Sequence, residues 1–247
     1  MGGWDVTKLH GPRSSMRGPV DLPARCLPVA CTLPARSPTP LATRADMSSG
    51  RIVLLGDSVF DNRSYVAPGA ATIDALSARL PAGWSAMLLA QDGSTMDEVT
   101  RQLMLLPSDA SHLVLSTGGN DALSDVGVLT ERATTVAEAL WKVAQIGERF
   151  ERRYREMLRS VRARKLPTTV CTIYNGNFRD PHLQVVAATA LSVFNDAIIR
   201  VAWAARTPII DLRVVCSEPE DYANEIEPSA RGSEKIAEEI LRAVVRG

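Results

Sequence analysis

An excess of charge of either sign is missing from this chain. Lys and Arg number 28, Asp and Glu number 28, and the formal net charge is zero. Nothing therefore points to nucleic acid or to an anionic membrane surface as a partner. Long apolar runs are missing too; none approaches the roughly 20 residues that a membrane span needs. Cysteine is scarce, with four in 247 residues, at 26, 31, 171 and 216. Cys171 lies in an apolar run and Cys216 just after another, so both read as buried thiols behaving as small hydrophobes. Four such cysteines are no disulfide framework and suit a reducing, cytoplasmic compartment. Only three histidines occur, His10, His112 and His182. None clusters with Cys26 and Cys31, so a metal site is not expected there. Two glycine signatures are also absent: a phosphate-binding loop after the first strand, and the Gly-x-Ser-x-Gly nucleophile elbow.

The chain holds 45% hydrophobic residues, enough for a sizeable core in one large or two small domains. Residues 1–46 stand apart. They carry about half of the prolines, several arginines and few acids, with no periodicity. This segment reads as a disordered or non-native extension, with an Arg-rich targeting peptide as the alternative. Met47-Ser48-Ser49-Gly50 makes a natural beginning for the domain at 47–247.

From residue 51 strands and helices alternate. Apolar runs predict strands at 51–55, 84–89, 112–117, 168–173 and 208–212. Amphipathic stretches predict helices at about 70–80, 96–105, 130–164 with a bend near Gly147, 183–205 and 229–245. Such alternation implies a five-stranded parallel sheet covered on both faces, a three-layer α/β/α sandwich.

In that architecture the loops after the strands share one rim, where ligands bind. The first strand ends in Gly56-Asp57-Ser58, the second in Asp92-Gly93, and the third in Gly118-Gly119-Asn120-Asp121. The loop at 174–181 and the segment before the last helix reach the same rim. Singly, each motif could be a turn, with Asp57 or Ser58 capping backbone groups. At successive strand ends and in this order they resemble the SGNH (GDSL-type) hydrolases over roughly residues 51–245. That resemblance implies a flavodoxin-like SGNH fold, Ser58 as nucleophile, and an oxyanion hole from Ser58, Gly93 and Asn120. Donors fixed on strand ends would face the charge of a tetrahedral intermediate. It also implies a small-molecule ester as partner, an acylated metabolite or carbohydrate, and no metal or organic cofactor.

The family's closing Asp-x-x-His motif is changed. In the frame Asn224-Glu225-Ile226-Glu227-Pro228, Asn224 takes the aspartate position and Glu227 the histidine position. A carboxylate is ordinarily a weaker base than imidazole, by about two pKa units. It also cannot become a cation beside the oxyanion. Burial could raise its pKa toward neutrality, and Asn224 would add no repelling charge. Glu227 as a non-standard base and Glu227 as a mere helix cap both remain open. His112 starts the third strand, far from the rim; His182 follows the loop at 174–181 and is the one substitute worth testing. Asp121 is expected to hold its turn, while Asp61, Asn62, Tyr174, Asn175 and Asn177 are rim polar groups. Two functions follow: a hydrolase of a small carboxylic ester, or a catalytically inactive relative that binds a small ligand.

Overall fold

The computed structural model describes residues 49–245. The expectations for residues 1–46, with Cys26, Cys31 and His10, lie outside the described residues. Five strands form one sheet: β1 (Gly50–Gly56), β2 (Trp84–Leu88), β3 (His112–Ser116), β4 (Thr168–Cys171) and β5 (Ile209–Ile210). All pairings are parallel, in the order β2-β1-β3-β4-β5. The expected architecture is the observed one. The helices are α1 (Arg63–Val66), α2 (Thr72–Ser77), α3 (Met96–Gln102), α4 (Gly119–Ser124), α5 (Val136–Arg162), α6 (Pro181–Ala204), α7 (Leu212–Val215) and α8 (Ala230–Val244).

Both faces of the interior strand β1 are apolar and covered, which is why it reads as an unbroken run rather than an alternation. Ile52 and Leu54 pack into one core with Leu76 of α2 and Ile236 and Ile240 of α8. Val53 and Leu55 point the other way, into a core with Val99 of α3, Phe150 and Tyr154 of α5, and Ile198 of α6. The winding reverses between β1 and β3, so a crevice opens at their carboxyl ends. Gly56 is paired there with Ser116.

Several boundaries differ from expectation for local reasons. Helix α5 begins at Val136, six residues late, because Val126–Thr130 form a separate 3-10 turn. Thr135 then caps it, its hydroxyl accepting from the Glu138 N–H at 3.1 Å. The helix runs unbroken through Gly147. A Cβ at Gly147 would lie 2.4 Å from Val193 Cγ1, so this glycine marks the closest approach of α6. Pro181 starts α6 two residues early, after the Asp180 cap.

The expectation that nothing approaches membrane-span length needs correction. By length and composition alone, α6 is long and apolar enough to cross a membrane. Asn195, Asp196 and Arg200 break its apolar sequence. Part of its length packs on the core through Phe194, Ala197, Ile198 and Val201. Cys171 and Cys216 are free and buried, and burial pushes both thiols up, that of Cys216 to about 12.

Candidate active site

The turn that presents Ser58 is set by the last residue of β1. Gly56 has φ +122°, and a Cβ there would sit 1.6 Å from the Ser116 carbonyl oxygen. Only glycine lets the two strands close at this point. Gln102 of α3 clamps the same residue, accepting from the Gly56 N–H and donating to its carbonyl, both at 2.8 Å. The chain then folds back on itself. The Phe60 and Asp61 N–H groups donate to the Asp57 carbonyl at 3.1 and 3.2 Å, which leaves Ser58 at the head of the turn.

Ser58 Oγ donates to Glu227 Oε1 at 3.0 Å. Both residues are buried, at 8% and 6% exposure, so this bond is shielded from competing water. Glu227 rides on a tight loop joined by an antiparallel bridge between Tyr222 and Pro228. Inside it the Ala223 N–H donates to the Glu227 carbonyl at 2.8 Å. Asn224 Oδ1 accepts from the Ile226 and Glu227 N–H groups, both at 2.9 Å. Asn224 therefore shapes the backbone that carries Glu227 rather than touching its carboxylate. From the β4 side Tyr174 buttresses the loop, its hydroxyl donating to the Ile226 carbonyl at 2.6 Å.

Burial dominates the electrostatics. It pushes the Glu227 carboxyl up to about 7, with the negative charge of Asp92 adding and the Ser58 hydrogen bond opposing. Glu227 Oε2 is buried with no hydrogen-bond partner among the described residues, so half of the carboxylate has lost its water without replacement. Asp57 goes further, to about 8: burial is again the largest cause, the Val59 N–H opposes, and Glu227 and Asp121 repel. The site thus holds two neutralisable carboxyls flanking one hydroxyl.

Asn120 lies in the first turn of α4 after Gly118, which has φ +111° and where a Cβ would sit 2.8 Å from the Phe150 ring. Its Nδ2 donates to the Ser94 carbonyl at 2.9 Å, leaving the second amide hydrogen for another acceptor. Asp121 ties the loop after β2 to α4 by accepting from the Met96 N–H at 3.0 Å, and pairs with Arg153 at 2.8 Å. Gly93 has φ +77° with open space where a Cβ would be. Its requirement for glycine is conformational, not steric.

The structure brings together Asp57, Ser58, Asn120 and Glu227 around one cavity of about 220 Å³. Gly93 and His182 do not border it. His182 is exposed at the first turn of α6, and its backbone N–H donates to Asp180 Oδ1 at 2.9 Å. His112 lies at the opposite end of β3, with Nδ1 2.9 Å from Ser111 Oγ and its ring beside Trp84.

Asn62, expected as a rim polar group, is fully buried instead. Its amide donates to Ser233 Oγ at 2.7 Å and to the Pro228 carbonyl at 3.2 Å, and its oxygen accepts from the Thr72 N–H at 3.0 Å. It thereby locks the turn bearing Ser58 to the loop bearing Glu227. Gln102 and Tyr174 are further supports without a local motif to mark them. Asn62→Ala is expected to cost about 3 kcal/mol of stability, because it orphans several buried partners. A urea titration of the variant would reveal this as a lowered midpoint; an unchanged midpoint would remove Asn62 from the framework.

Comparison with known proteins bears on the fold and the family. No curated protein matches the sequence. Among solved structures, an extracellular lipase from Streptomyces rimosus is similar with a TM-score of 0.59 at 15% identity, over 79% of this chain and 99% of that one. A phospholipase A1 from Streptomyces albidoflavus is similar with a TM-score of 0.55 at 19% identity, over 79% and 99%. Est24, a carbohydrate acetylesterase from Sinorhizobium meliloti, is similar with a TM-score of 0.56 at 11% identity, over 80% and 99%. At these identities they speak for the fold, the SGNH hydrolase arrangement. The family model for GDSL-like lipases and acylhydrolases matches residues 54–235, a span that holds Ser58, Asn120 and Glu227, and the chain belongs to that family.

Proposed function

We propose that this protein is a serine hydrolase of small carboxylic esters that uses Glu227 as its base. The Ser58–Glu227 hydrogen bond is the observation that carries the reading. A nucleophile within hydrogen-bond reach of its base is the first geometric requirement of such chemistry. The raised pKa of Glu227 is the second support, because a carboxylate poised near 7 is a better proton acceptor than an ordinary one.

The steps follow from these groups. Ser58 Oγ attacks the ester carbonyl carbon while its proton passes to Glu227 Oε1. The carbonyl oxygen becomes an oxyanion, held by the Ser58 N–H group and by Asn120 Nδ2; Gly93, expected as a third donor, lies outside the cavity lining. Collapse breaks the ester C–O bond, and Glu227 returns the proton to the departing alcohol. Water then attacks the acyl-Ser58 and gives a proton to Glu227. The second collapse releases the carboxylic acid and restores the Ser58 hydroxyl. Protonated Glu227 is neutral and adds no positive charge near the oxyanion, so the hydrogen-bond donors carry that stabilisation alone. The substrate class, an acylated metabolite or carbohydrate, follows the family and the names of the similar proteins.

A binding protein with a retired site is the second reading. The exchange of both closing residues for Asn224 and Glu227 favours it. A fluorophosphonate probe separates the two. Intact mass of the full chain is expected to rise by one adduct, and Ser58→Ala is expected to stay unlabelled. No adduct at any pH from 5 to 9 would sink the hydrolase reading and favour the binder.

A further inference from the structure

The cavity beside Ser58 has a definite depth and a definite chemistry. Starting at Ser58 and Glu227, it runs under the 3-10 turn Val126–Thr130 and between the first halves of α5 and α6. The α6 wall is one stripe, with Leu183, Ala187, Ala190, Leu191 and Phe194 spaced as neighbours on a single helical face. Val143 and Ile146 face it from α5. The two alanines in the middle of the stripe leave the space. Both helices descend from the rim, and they close on each other at Gly147 and Val193, where a Cβ would meet a methyl at 2.4 Å. All the wall residues of α5 precede that crossing, which makes it the floor.

The mouth is apolar as well. Leu123, Val126, Leu129 and Leu183 line the cavity and are each more than a third exposed. Large apolar side chains that line an apolar slot and also face solvent match an apolar guest that would cover them. The same guest accounts for part of the membrane-like composition of α6, whose Leu183, Ala187 and Ala190 line the cavity.

We infer that this cavity holds the acyl chain of the substrate and that the protein is selective for medium-chain acyl esters over acetyl esters. This rests on the hydrolase reading above. A cavity of about 220 Å³ is severalfold larger than the single methyl of an acetyl group needs, a group about the size of one water, and it has room for a run of methylenes. An acetyl group would leave most of the apolar wall wet, and each methylene buried there favours binding by about fourfold.

The test uses p-nitrophenyl acetate, butyrate, octanoate and dodecanoate with the full chain, and binding of methyl octanoate to Ser58→Ala by calorimetry. Values of kcat/KM are expected to climb from acetate to octanoate and to fall at dodecanoate, where the Gly147–Val193 crossing stops the chain. Ala190→Phe fills the cavity and is expected to cut kcat/KM for octanoate by at least about 30-fold, while acetate changes by no more than about threefold. Ala187→Leu serves as a milder version should the phenylalanine variant not fold. Acetate as the best substrate, with no methyl octanoate bound, would overturn the inference and leave the hydrolase reading standing. Methyl octanoate bound by Ser58→Ala, without hydrolysis of any ester by the parent, would support the acyl cavity and overturn the hydrolase reading. Neither binding nor hydrolysis would overturn both.

Discussion

Glu227→Gln is expected to lower kcat for ester hydrolysis by about 100- to 10 000-fold, the range general-base catalysis supplies. The substitution preserves shape and an oxygen for the Ser58 hydroxyl to meet, and removes only the ability to take its proton. In the parent the rate needs the carboxylate form. It should therefore rise with pH through about 7 and level off above. Asp57, raised to about 8 beside it, makes the pair titrate together, so the profile reports apparent values of the pair. Stability should move the opposite way. Both carboxyls hold their protons more tightly in the fold than in the unfolded chain, so their contribution is complete below the ordinary carboxylate range and lost as pH climbs toward 8. Steady-state rates and thermal midpoints over pH 5–9, in parent and variant, check both halves. An unchanged kcat with an unchanged pH profile in Glu227→Gln would take this residue out of the mechanism.

Gly56→Ala is expected to lower stability by more than about 3 kcal/mol, or about 6–12 °C in thermal midpoint for a domain of this size. Two costs add at this position. The backbone sits at φ +122°, where L side chains are strained, and the new methyl would meet a carbonyl oxygen of β3 at 1.6 Å. That oxygen belongs to a strand and cannot step aside. Gly93→Ala is the matched control, with φ +77° and open space around it; it should cost only about 1–2 kcal/mol for the left-handed backbone. Equal losses in the two variants would mean that the contact between β1 and β3 at Gly56 is not what requires glycine.

Much of this was legible in the chain because it is written locally. The run Ile52–Leu55 before Gly56, and Leu113–Leu115 before Gly118, are buried on both faces and so spell out strands without ambiguity. Their terminal motifs fall where a parallel sheet opens. Helix α4 was missed because Gly118-Gly119-Asn120-Asp121 has the composition of a turn; Gly118, left-handed, is in fact the residue before the first helical turn. The duties of Asn62 and Asn224 are invisible locally, since each depends on which segment lies across from it. The cavity was out of reach for the same reason. It is a gap between two helices, produced by Ala187 and Ala190 on one and by a glycine crossing farther down, and no short stretch of sequence encodes a separation.

The bond between Ser58 and Glu227 joins residues 169 positions apart, from the turn after the first strand and from the loop before the last helix. Contacts of that span form only after the loop-closure entropy of nearly the whole domain has been overcome. Neither the first half of the chain nor any collapsed state lacking a docked α8 can assemble the pair. During synthesis Ser58 emerges early but gains its Glu227 partner only when the last segment of the chain arrives. On the proposed hydrolase reading, reactivity at Ser58 becomes a clock for the completion of folding, one that a covalent probe applied during refolding could read directly.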